Sequence, residues 1–183
     1  MKRAILVLAA LLYAETALGE AAFEFTAPGM RVPDDPAVNG MRLSLLHGKN
    51  TSVRGFDIGL LSLSETAEMS GVSIVAGVNR VTGRMSGGAA ISLINFHSGR
   101  DTGLNAAFIN KLNDTEDAFN ISFLNIADGA TLVDLGGLNM SARSTAQIGF
   151  VNVTKNLKSF QFGFLNIAEN GFLPVFPVVN FPK

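Results

Sequence analysis

The chain has 183 residues, 48% of them hydrophobic and 16% charged, with a formal net charge of −1. It contains no Cys and no Trp, which excludes disulfide frameworks, thiolate metal sites and cysteine nucleophiles. High apolar content with little net charge argues against disorder and against an electrostatic footprint for nucleic acid, and two His leave little for an imidazole-rich metal site.

The first nineteen residues read as a leader to be removed. Met1-Lys2-Arg3 is basic, Ala4 to Ala14 is apolar, and Ala17-Leu18-Gly19 supplies small residues. That order predicts a secretory signal peptide over 1–19, since the apolar run falls well short of the roughly 20 residues a membrane span needs. It carries Tyr13, the only Tyr. An exported chain is expected. Residues 20–36, with Pro28, Pro33, Pro36 and Asp34-Asp35, are expected to form a leader and N-terminal cap.

From residue 37 to 183 the sequence repeats. Asn recurs at Asn79, Asn95, Asn110, Asn125, Asn139, Asn152, Asn166 and Asn180, and His47 and Ser62 take the same place in two earlier units. The residue before each of these ten anchors is aliphatic. Three before, nine of ten are Gly, Ala or Ser; four before, all are apolar. Within a unit such as Phe160 to Ile167, β-branched or aromatic residues alternate, and Ala168-Glu169-Asn170-Gly171 follows as a turn. Each unit of 13–17 residues is therefore predicted to be one strand and one turn. The last, 170–183, is interrupted by Pro174 and Pro177 and is expected to be atypical.

Two all-β architectures accommodate about ten such units. In a short-coil parallel β-solenoid, equivalent side chains stack about 4.8 Å apart, so an Asn row can form an amide ladder and a small-residue row lets the coil close tightly. The alternative is an up-and-down outer-membrane β-barrel, in which alternate strands reverse and equivalent positions fall at opposite rims. The mature chain lacks Trp and Tyr for aromatic girdles, and its unit lengths do not alternate short and long. Apolar residues on both faces of a strand, Phe160, Phe162 and Phe164 against Leu165 and Ile167, favour the barrel, since a lone solenoid should have a polar outer face; lipid contact, a dimer interface or a membrane surface would each account for the excess. The solenoid accounts for all three rows together and is the fold predicted here.

The segments Asn39 to Asn50, Val53 to Leu60 and the units ending Phe-Leu-Asn-Ile-Ala resemble the bacterial surface-repeat proteins first named from Leptospira, with their tandem units similar to Gly-Leu-Gln-Leu-Gly-Leu-Val-Asn. The closing segment Asn170 to Phe181 is also similar to theirs, and the likeness spans about 37–183. The units between Ser70 and Asp117 depart from the regular pattern, and the chain ends in Phe181-Pro182-Lys183 rather than on an aromatic residue. The resemblance implies a cell-envelope location and brings no catalytic residues.

Little in the sequence points to catalysis. Ser98, His97 and Asp101 include the residue types of a hydrolase triad, but neighbours on a strand face opposite ways, so His97 is not placed to activate Ser98. The acidic turn Asn113 to Asp117 lacks the Gly and distal Glu of a calcium loop. The glycines from Gly83 to Gly88 do not open a helix as a phosphate loop does. The sequons at Asn50, Asn120, Asn139 and Asn152 mostly coincide with the repeat. The expectation is an exported, non-enzymatic envelope protein with no cofactor and no metal site. Its Asn residues are expected to be structural, and its apolar face to meet the outer membrane or another copy. A small barrel acting as pore or anchor is the alternative.

Overall fold

The structure, a computed structural model, describes residues 19–183, so the predicted signal peptide lies outside the described residues except for Gly19. Eight strands follow in order: β1 (Ala21–Ala27), β2 (Met30–Val32), β3 (Ala37–Met85), β4 (Ala89–Asp101), β5 (Leu104–Ala106), β6 (Ile109–Thr115), β7 (Ala118–Ala168) and β8 (Val175–Asn180). The pairings β1–β3, β3–β4, β4–β5, β4–β6, β5–β7 and β6–β7 are all parallel. Asn79 pairs with Asn95, Asn95 with Asn110, and Asn110 with Asn125. Equivalent residues therefore lie directly over one another, which only a coil of constant direction allows. The fold is a β-solenoid of about seven turns and not a barrel.

β3 and β7, of 49 and 51 residues, each run through several turns of the coil without losing their pairing. In the early turns the corner is made by stacked glycines. Gly40, Gly55, Gly71 and Gly88 have φ of 152°, 121°, 126° and 84°. A Cβ added at Gly55 would lie 2.2 Å from the Gly40 carbonyl oxygen, and one at Gly88 only 1.9 Å from that of Gly71. Both the backbone conformation and the close approach of the turn below require glycine there.

Both ends depart from the parallel rule. β2 folds back antiparallel on β1, with Phe25 opposite Val32, within the segment 20–36. β8 lies antiparallel on β7, with Gln161 opposite Asn180. The predicted ten units stand against about seven turns of the coil. The His47 and Ser62 units lack Asn, and the last unit reverses direction.

The interior is narrow and unusually polar. An apolar cluster of Val38, Val53, Met69, Val81, Met85 and Ala90 fills part of the first turns. Beside it, the largest fully buried side chain is Arg42.

Candidate functional site

The Asn side chains from Asn95 onward form a continuous interior column. Asn95 Nδ2 donates to Asn110 Oδ1 at 3.0 Å, Asn110 to Asn125 at 2.9 Å, and Asn125 to Asn139, Asn139 to Asn152 and Asn152 to Asn166 at 2.8 Å each. An amide carries both donor and acceptor, so each member satisfies the next without any change of residue type. Several also donate to a main-chain carbonyl, as Asn125 does to Leu135 at 3.0 Å. The small residues three before the anchor make room for this. A Cβ at Gly149 would lie 2.5 Å from Asn139 Nδ2.

Four of the ten predicted anchors stand outside this column. Asn79 lies in register beneath Asn95 and donates to Ser73 Oγ at 3.0 Å. Asn180 is not in the column: on the reversed strand β8 it pairs with Gln161 and donates to Leu173 O at 3.1 Å. His47, expected to replace Asn, is exposed instead; Leu46 before it is left-handed, with φ of 64°, as is Leu61 before Ser62, with φ of 48°. Ser62 is buried, with its hydroxyl 3.2 Å from that of Ser44.

A second interior column, five residues before most anchors, was not recognised in the sequence. Glu24 pairs with Arg42, Ala90 with Asn105, and Asn105 with Asn120. Asn120 Nδ2 donates to Asp134 Oδ1 at 2.8 Å, Gln147 Nε2 to Asp134 Oδ2 at 3.2 Å, and Gln161 Nε2 to Gln147 Oε1 at 2.7 Å. Thr131 and Ser144 also donate to Asp134. Burial pushes the Asp134 carboxyl up from its ordinary value, and these four donors oppose the shift. The signal was present as a polar residue recurring among apolar ones. Its identity changes from turn to turn, so no single letter repeats.

At the N-terminal end this second column is ionic. Arg42 grips Asp57 with two bonds of 2.8 Å, from Nε and Nη2. Its Nη1 donates to Asn50 Oδ1 at 2.8 Å, and Nη2 also reaches Thr66 Oγ1 at 3.0 Å and the Ser64 hydroxyl. Asn50 in turn donates to Glu24 Oε2 at 2.9 Å, with Arg31 Nε 3.4 Å away. Burial raises the Glu24 pKa, against the pull of Asn50, Arg31 and Arg42.

The triad residues separate as strand alternation requires. His97 Nδ1 is hydrogen-bonded to Asp101, and both side chains are buried in the interior. Ser98 is exposed and donates to Thr82 O at 3.3 Å. In the acidic turn Glu116 forms an ion pair with Arg100, and among the described residues no three His, Cys, Asp or Glu are placed to hold a metal. The sequon residues Asn50, Asn120, Asn139 and Asn152 are all buried.

What the coil presents outward is one charge-free sheet face. Positions two and four before the anchors alternate with the interior positions and point out, except at Val75, which is buried. In the four residues before each anchor from His47 to Asn166 there is no Asp, Glu, Lys or Arg. Phe108 and Phe123 stack at 5.4 Å between centroids, and Phe150 and Phe164 at 5.1 Å. These four rings are 61–71% exposed. Gly137 lies between the two pairs, its missing side chain replaced by the Phe123 ring, 3.1 Å from where a Cβ would stand. Compared with protein-family models, curated proteins and solved structures, the chain matches none.

Proposed function

We propose that the protein is an exported, non-enzymatic repeat scaffold of the bacterial cell envelope, with a structural or binding role exercised through its apolar face. The observation that carries this reading is the unbroken charge-free face along the stack, because soluble monomers seldom leave so large a continuous apolar surface in water. The basic start and short apolar run of residues 1–19, and the resemblance of 37–183 to the Leptospira-type surface repeats, support export and an envelope location. The non-enzymatic reading rests on where the polar chemistry lies: His97, Asp101, Arg42, Asp57 and Asp134 are all closed off from solvent. Buried groups that bond to one another hold a fold together; they do not reach a substrate.

Fractionation of expressing cells tests the proposal directly. The protein is expected with the envelope, released by detergent or high pH; recovery in the cytosol alone overturns it.

A further inference from the structure

The apolar face admits more than one occupant, and its rim and area decide between them. Eleven large apolar residues at positions two and four before the anchors are 39–71% exposed. At roughly 200 Å² for a fully accessible large side chain, they present on the order of 1,100 Å². A stable protein interface needs roughly 800 Å² per partner, and the largest patch on an ordinary monomer reaches only about 300–600 Å².

A lipid surface fits this face poorly. Anionic bilayers attract unpaired Lys and Arg, and interfacial contact favours Trp and Tyr. The described residues contain neither aromatic. The cations that directly follow anchors are already neutralised: Arg80 by Glu65 at 3.1 Å and Lys111 by Asp128 at 2.8 Å. Another copy of the same face fits well. It is free of charge, and its outward row carries large apolar side chains except at Gly77 and Gly137, which lie equally far in sequence order on either side of Phe108. Two such sheets pack about 10 Å apart with interleaved side chains. A two-fold axis through the middle of the stack closes the pair without leaving a growing end.

We infer that the protein forms an isologous face-to-face dimer through this apolar sheet face, with Phe108 at the two-fold axis. Phe108 is the central member of the outward row that runs from Leu45 to Phe164. A side chain there meets its own counterpart, so a charge placed at it is repelled by its copy.

This inference rests on the proposed reading of the face as the working surface. Sedimentation equilibrium of the purified protein tests it. The wild type is expected to be a dimer. Phe108→Asp should weaken association about thirtyfold or more, as for a central hot spot, with an unchanged far-ultraviolet spectrum. Phe108→Lys should do the same, and an equimolar mixture of the two variants should dimerise again. Should either variant fail to fold, Leu93→Asp and Phe123→Lys, which lie opposite each other one turn either side of the axis, serve in their place, singly and mixed. A monomeric wild type overturns the dimer, as does dimerisation that survives these substitutions. Flotation with phosphatidylglycerol–phosphatidylethanolamine vesicles then separates the outcomes: a monomer that floats places lipid on the face and leaves the envelope reading standing, whereas a non-floating monomer found only in the cytosol ends both.

Discussion

The first turns and the later turns of this coil fill the same interior position in opposite ways. Five residues before the anchor, the early turns carry Arg42 and Asp57, with Glu24 below them in the column; from Asn105 to Gln161 the position is held by amides with one carboxyl, Asp134. An ion is specific about its neighbour. Arg42 needs Asp57 above and Asn50 beside it, and no other turn offers that set. An amide is indifferent: Asn125 takes from Asn110 and gives to Asn139 on the same terms as its neighbours. Amide turns are thus nearly interchangeable, while the ionic turns fit in one way only. The later turns supply repeatable stability, and the first supply a fixed starting point for the stack.

The difference can be broken most forcefully at Arg42. Arg42→Met strands Asp57 in the interior, and a loss of about 3–5 kcal/mol is expected in chemical denaturation. Hydrogen exchange should show protection lost first around residues 37–66, with the turns from Asn110 onward still protected, since in a solenoid each turn leans chiefly on its neighbours. A uniform loss along the chain would show that the two regions are one cooperative unit.

In the amide half the expected effects are smaller and graded by position. Asn125→Leu removes the acceptor for Asn110 and the donors to Asn139 and Leu135, so a cost of about 2–3 kcal/mol is expected. Asn166→Leu, at the end of the column, breaks one ladder bond and should cost about 1 kcal/mol. Equal losses at the two sites would show that the number of ladder bonds does not set the cost of removing an anchor.

The smallest effect concerns pH. Burial raises the Glu24 carboxyl above its ordinary 4.5 in the folded protein. The folded chain then holds a proton that the unfolded chain has released, so this group's contribution is fully present below about pH 4.5 and is lost as pH rises through the folded value. Glu24→Gln stays neutral throughout. It should match the wild type in acid and exceed it in stability near neutrality, measured by denaturation at several pH values. Identical curves at every pH would show that Arg31 and Arg42 fully offset the burial.

Much of this architecture was readable from residue type and spacing. The Asn period, the small residue three before it and the aliphatic residue just before it together called for parallel stacking, because only stacking gives all three rows a purpose. The second column escaped notice since Arg42, Asp57, Asn120, Asp134 and Gln147 share polarity and burial but no common letter. Among the misplaced anchors, the reversal of β8 takes Asn180 out of line, and strand direction leaves no mark on composition. His47 is exposed where Ser62 is buried, although both follow a left-handed leucine. The separation of His97 from Ser98 did follow from strand alternation, whereas the pairing of His97 with Asp101 was not foreseen.

The indifference of the amide ladder also bears on how such a protein changes over time. Duplicating or deleting one unit between Asn110 and Asn152 would leave every anchor amide of the Asn column with a neighbour of the same kind, and both antiparallel ends untouched. The length of the rod, and with it the reach of its greasy side, can be lengthened or shortened a turn at a time by simple tandem copying. The ionic knot at the other end offers evolution no such freedom.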